Sequence, residues 1–253
     1  MTQIVAVGEG AGARKLTALL RAGREPAVVW LGGLKSDMRS TKAQALDGWA
    51  QNNGRSFLRF DYSGHGESEG AFEDGTVSQW LEDTLAVLRH FGVRSPLLVG
   101  SSMGAWIALL AAREFLKAGA DHVPVGIVLI APATDFTERL MWDRFPADIK
   151  RAVEETGVYR RPSSYSDEPY PITRSLIEDG RRHLLFGAPI ATGCPVHVLQ
   201  GMKDADVPWG HALQLVEHLP GDSVSLTLIK DGDHRLSRPE DIARLIAAIE
   251  AML

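Results

Sequence analysis

Two serines in this chain sit inside the spelling G-x-S-x-G. Ser102 lies in GSSMG, between Gly100 and Gly104, and Ser68 lies in GESEG, between Gly66 and Gly70. At this chain's glycine and serine content, a chance match is unremarkable, so context has to separate them. A serine becomes a nucleophile when a base takes its proton and an acid orients that base. Its best position in an α/β protein is a sharp turn between strand and helix. That turn lifts the hydroxyl above the sheet and aims a helix N-terminus at developing negative charge. Ser102 follows the strand-like run LLVG and precedes a helical run from Met103 to Ala118. Ser68 lies well past Phe60, where its strand ends, is flanked by Glu67 and Glu69, and is followed by AFEDGT. Two adjacent carboxylates would oppose an oxyanion. Ser102 is the expected nucleophile.

The acid and base should follow in the order Ser, Asp or Glu, His, each after a different strand. The strand at 195–200 runs into GMKDADVPW, which places Asp204 just past its carboxyl end. The strand at 224–229 runs into KDGDHR, which places His234 ahead of the last helix. Sites in open α/β sheets gather at these strand ends. His234 is therefore expected to take the Ser102 proton, with Asp204 holding its tautomer. Asp206 is the alternative acid, farther from the strand end. Among other histidines, His197 alternates within a strand and His211 falls on a helix, so both are expected to pack. His65, in DYSGHGESEG, is the serious rival base, but it would break the chain order. Asp231 and Asp233 are expected to form turns. The oxyanion should meet backbone N–H groups. Met103, directly after the nucleophile, supplies one. Leu34, in WLGGLKSDM, supplies the other, with Gly32 and Gly33 allowing close approach.

These positions need a frame. Buried-strand candidates are 27–31, 56–60, 96–100, 126–130, 195–200 and 224–229, with helical patterns at 41–52, 77–91, 103–118, 209–219 and 239–252. This alternation predicts one α/β domain over 1–253, with a mostly parallel sheet and helices on both faces. QIVAV (3–7) and KLTALL (15–20) predict two further strands joined by a glycine-rich turn. Residues 134–190 break the rhythm. They offer two helical stretches, 135–156 and 171–186, separated by YRRPSSYSDEPYP, as expected of a helical lid or cap insertion. Phe136, Leu140, Met141, Trp142 and Phe145 there recur at about one helical turn, which predicts one apolar face that either covers the core or walls an acyl pocket. Trp142 and Phe145 are the expected substrate-binding residues.

The net charge of −5 gives no basic footprint for nucleic acid. No apolar run approaches the ~20 residues of a membrane span. The single Cys194 excludes an intrachain disulfide and fits a reducing compartment. MTQIVAVGEGAG lacks a basic region followed by an apolar core, so no secretory signal is expected. A cytoplasmic location is the expectation.

FDYSGHGESEG, LVGSSMGAW, CPVHVLQGMKDADVPW and DGDHR together resemble the α/β-hydrolase fold. Within it they are similar to the mitochondrial α/β-hydrolase-domain acyl-protein thioesterases and acyl-glucuronide esterases and their bacterial relatives. The similarity runs from about Ala27 to the C-terminus and includes the SSYSDE segment. It implies nucleophile, acid and base at Ser102, Asp204 and His234. It also implies hydrolysis of an acylated substrate, an ester or thioester, with neither metal nor cofactor. Two features depart from the pattern. No mitochondrial targeting segment is expected from MTQIVAVGEGAG, and Leu31-Gly32-Gly33 stands where many relatives carry His-Gly.

Other classes are weaker. IVAVGEGAGA spells a dinucleotide fingerprint at Gly8, Gly10 and Ala13, but 14–22 is short for a crossover helix and no acid follows 27–31. A non-catalytic binding protein would not need all three residues. A carbon–carbon bond hydrolase or an aminopeptidase would use the same three, and fold alone does not choose among their substrates.

Overall fold

In the computed structural model, residues 2–119, 122–162, 169–221 and 223–253 are described. The SSYSDE segment lies outside them. The chain opens with an antiparallel hairpin, β1 (Thr2–Val7) and β2 (Arg14–Arg21), paired from Thr2↔Leu19 to Val7↔Arg14. Gly8 to Ala13 are its turn, so the dinucleotide spelling falls in a hairpin loop.

The alternation then follows. β3 (Arg24–Leu31), α1 (Thr41–Asn52), β4 (Arg55–Phe60), α2 (Val77–His90), β5 (Leu97–Ser101), α3 (Met103–Ala118) and β6 (Gly126–Ile130) form the first part. Beyond the 134–190 stretch come β9 (Val196–Gly201), α6 (Trp209–His218), β10 (Val224–Ile229) and α7 (Pro239–Glu250). The eight-stranded sheet has the order β1-β2-β4-β3-β5-β6-β9-β10, and β4 through β10 run parallel. The central strands β3, β5 and β6 are buried on both faces, as their near-continuous apolar sequences require. Val29 and Leu31 of β3 pack with α2, α3 and α6, while Val28 and Trp30 pack with α1 and α7. The strand order reverses between β3 and β5, and the loops after these two strands are neighbours at the carboxyl edge.

The 134–190 stretch is more varied than the two expected helices. It holds one wide π turn (Thr137–Met141), a 3-10 turn (Trp142–Arg144) and α4 (Ala147–Thr156). A hairpin of β7 (Val158–Arg161) and β8 (Tyr170–Thr173) follows, then α5 (Arg174–Gly180). The second helix therefore starts later than the spacing suggests. Ile172 is wholly buried as a strand residue, and Thr173 caps α5 by accepting the Leu176 N–H. Asp135 ties the stretch at its root: its buried carboxylate accepts the Leu185 and Phe186 N–H groups at 2.8–3.0 Å.

Candidate active site

Ser102 stands between β5 and α3 with φ 55 and ψ −116, a left-handed conformation that costs a non-glycine residue energy. Its neighbours make the turn possible. A Cβ on Gly104 would collide with the Leu31 and Gly32 carbonyls, and one on Gly100 would collide with Gly104. The Ser102 N–H donates to the Ile130 carbonyl (2.8 Å), and its own carbonyl accepts the Ala105 N–H (3.0 Å). The strained turn is thus tied to β6 and to the first turn of α3.

Asp204 and His234 come together although they lie 30 residues apart. Asp204 Oδ2 accepts the His234 Nδ1–H at 2.8 Å. The Asp204 side chain is fully buried, and His234 is 18% exposed. Oδ1 accepts the Asp206 and Val207 N–H groups at 2.9 and 2.8 Å, and Gln200 Nε2 also donates to Oδ2 at 3.2 Å. With Nδ1 protonated toward the carboxylate, Nε2 is left as the basic atom. Among the described residues no hydrogen bond joins Ser102 Oγ to His234, a contact that often tightens only with substrate bound. Asp204, Asp206 and His234 each bring one ligand atom within 4.8 Å of the others, a spacing a cation could bridge. Both Asp204 oxygens already accept hydrogen bonds, which fits an acid–imidazole pair better than a ligand set.

Ser102, Met103, Leu34 and His234 line one cavity of about 500 Å³. An ideal Cβ on Gly33 would lie 4.0 Å from Ser102 Oγ, so the loop after β3 passes close over the serine. Among the described residues, the Leu34 and Met103 N–H groups have no hydrogen-bond partner. One wall of the cavity is apolar, with Phe136, Leu140 and Met141. The lining also carries Ser40, Lys42 and Ser237. Burial pushes the Lys42 ammonium down to about 8.

A family model described as "Alpha/beta hydrolase family" matches residues 17–245. The chain belongs to the alpha/beta hydrolase family. It is 34% identical over 232 residues to the Homo sapiens protein named palmitoyl-protein thioesterase ABHD10, mitochondrial, which covers 91% of this chain and 74% of that protein. A crystal structure of an Agrobacterium vitis S4 protein described as a hydrolase is 52% identical, with TM-score 0.96 over 100% of this chain and 98% of that one. The structure of alpha/beta hydrolase domain-containing protein 10 from mouse is 31% identical, with TM-score 0.88 over 100% and 98%.

The remaining candidates of this alpha/beta hydrolase occupy other positions. Ser68 bridges strands: its Oγ accepts the Thr17 N–H (2.9 Å) and donates to the Asp61 carbonyl (2.6 Å). Asp206 lines the cavity and supports Asp204 through its backbone N–H. His197 bonds Thr227 Oγ1, and His211 donates to the Thr134 carbonyl. Asp233 caps a turn at Leu236, and Asp231 pairs with Arg238. Trp142 and Phe145 are not where their helical spacing suggests. Trp142 lies between Lys150 and Arg181, 5.5 and 4.9 Å from its ring centre, and Phe145 meets Tyr159 edge-on. The cavity wall takes Leu140 and Met141 from this stretch, with Arg161 and Tyr170 from the hairpin. Gln200 was missed. Its only signal was a polar residue ending an apolar strand.

His65 is held neutral. It is 4% exposed, and burial pushes its imidazole from 6.5 down to about 4. A folded-state value below the free one means that protonation favours the unfolded chain. The stabilisation is complete above about pH 6.5 and drains away as pH falls toward about 4. Buried Asp61, Asp83 and Asp135 are shifted upward and act in the opposite sense. The difference between wild type and His65→Gln isolates the imidazole. The wild-type Tm should fall more steeply between pH 6.5 and 4.5, by thermal melts at 0.5-unit steps. Parallel curves would show that His65 is not held neutral.

Proposed function

We propose that this enzyme hydrolyses acyl esters and thioesters through an acyl-enzyme on Ser102. The observation that carries the reading is one cavity holding an elbow serine beside an imidazole whose Nδ1 is bound to a buried carboxylate. His234 Nε2 takes the Ser102 proton as Oγ attacks the acyl carbon. Asp204 fixes the tautomer and stabilises the cation. The Met103 and Leu34 N–H groups receive the oxyanion. Collapse expels the alcohol or thiol, which takes the proton from His234. Water then repeats the sequence and frees the acid and Ser102. An acylated substrate of thioester type is supported by the palmitoyl-protein thioesterase relatives. The lone Cys194 supports a reducing location such as the cytoplasm.

Residues 134–190 act in this reading as a lid whose apolar wall meets the acyl chain. Fluorophosphonate labelling tests the nucleophile, and a panel of p-nitrophenyl esters and acyl thioesters from two to sixteen carbons tests the substrate class. Leu140→Ala should shift the preferred chain length and spare acetyl esters. A pocket of this kind discriminates by about 1–3 kcal/mol per methylene at most. Trp142→Ala, outside the wall, should instead lower Tm and reduce all chain lengths equally. A flat profile for Leu140→Ala would remove this wall from the acyl site.

A further inference from the structure

The motif FDYSGHGESEG contributes none of the three groups proposed for the chemistry, yet its histidine is held as firmly as a functional group. The geometry points to His65 as the positioning residue of the oxyanion loop. Its Nε2 accepts the Lys35 N–H at 3.0 Å, and this contact fixes the peptide that follows Leu34. The inference rests on the proposed role of the Leu34 N–H.

The tautomer follows from the partners. His65 Nδ1 lies 3.1 Å from the Ser63 carbonyl, which only accepts, so Nδ1 carries the proton. Nε2 then presents a lone pair, and the Lys35 N–H fills it. Both ring nitrogens are committed, which is why His65 does not serve as a base. Edge-on contacts with Tyr62, Phe72 and Trp80, at 5.8, 5.2 and 5.4 Å between ring centres, lock the ring plane. Ser63 is itself fixed, because Asp83 accepts both its N–H (2.8 Å) and its hydroxyl (2.6 Å). The acceptor therefore projects from a rigid base.

The loop needs such an anchor. Lys35 has φ 57, a left-handed conformation that a lysine does not choose unaided. The turn is closed by the Ser36 N–H donating to the Gly33 carbonyl (3.1 Å), and Gly33 passes next to Ser102. Farther along, Asp61 Oδ1 accepts the Met38 N–H at 2.6 Å. The loop is thus pinned at two points by the segment 61–65. His65 is the nearer pin, one residue from the proposed donor.

A misplaced donor weakens transition-state binding more than substrate binding, so the effect should appear in kcat. Three variants separate the acceptor from the ring. His65→Phe keeps the aromatic packing without an acceptor. His65→Gln reaches the Nε2 position with an amide oxygen, and His65→Asn reaches only the Nδ1 position. Removal of a whole oxyanion donor costs roughly 100- to 1000-fold in kcat, so misplacement should cost about 10- to 100-fold. The expected result is this loss in His65→Phe and His65→Asn, with KM within about 2-fold, and recovery to within a few-fold in His65→Gln. The Lys35 amide should lose hydrogen-exchange protection in Phe and Asn and keep it in Gln. Unchanged kcat in all three variants would overturn the inference. So would losses in kcat that follow Tm with Gln no better than Asn. If His65→Phe does not fold, the Gln–Asn pair decides alone. Fluorophosphonate labelling of wild type and Ser102→Ala runs alongside. No labelling at Ser102 would mean that the hydrolytic reading has failed, whereas labelling at Ser102 with indifferent His65 variants would sink only the positioning role.

Discussion

Ser102→Ala is expected to lower kcat for acyl ester hydrolysis by at least about 1000-fold, because the covalent path is lost and only oxyanion and binding contributions remain. The fold should not notice. Alanine keeps the Cβ, so the strain at φ 55 is the same with either side chain. Among the described residues, the Ser102 hydroxyl bonds to nothing in the fold. Ser68→Ala should behave in the opposite way. Its hydroxyl holds β2 to the loop at Asp61 through two hydrogen bonds. Their loss should cost about 1 kcal/mol each and lower Tm by several degrees, with the rate within about 3-fold of wild type. Steady-state rates on a short p-nitrophenyl ester and thermal melts give all four values. A folded Ser102→Ala protein with near wild-type rate would end the acyl-enzyme reading.

The positions of Ser102, Asp204 and His234 at one edge were legible because each follows a strand of the parallel sheet, and parallel strands bring their carboxyl ends to one edge. Chain order alone then limits the candidates. The apolar cavity wall was legible in part, through Phe136, Leu140 and Met141. Assigning Trp142 and Phe145 to it assumed an unbroken helical period over 135–156. The π turn at Thr137–Met141 and the 3-10 turn at Trp142–Arg144 break that period, so Leu140 and Met141 face the cavity while Trp142 turns toward Lys150 and Arg181. The part played by His65 was hidden for another reason. Composition marked it as a possible base. Only the packing of the 61–70 loop on the 32–38 loop shows that both its nitrogens are engaged. The hairpin of β7 and β8 was hidden because its strands are four residues each and only Pro171 and Ile172 among them are buried.

Asp204→Asn should be the second most damaging single change, by about 1000- to 10,000-fold in kcat, and the hydrogen bonds say why. Oδ1 receives two backbone N–H groups, so the asparagine must keep its carbonyl oxygen there. Its NH2 then replaces Oδ2 and meets the Gln200 amide and His234 Nδ1 as a donor facing donors. His234 can relieve the conflict by moving its proton to Nε2. That tautomer bonds well to the asparagine but leaves Nε2 unable to accept from Ser102. The variant should therefore fold, bind substrate and react slowly, with fluorophosphonate labelling of Ser102 slowed in parallel. Asp206→Asn tests the neighbouring carboxylate. Its backbone N–H supports Asp204, and the substitution keeps that N–H, so the rate should stay within about 5-fold. If Asp206→Asn proved the more damaging of the two at equal Tm, the orienting acid would be Asp206, and the buried bond between Asp204 and His234 would be a structural contact alone.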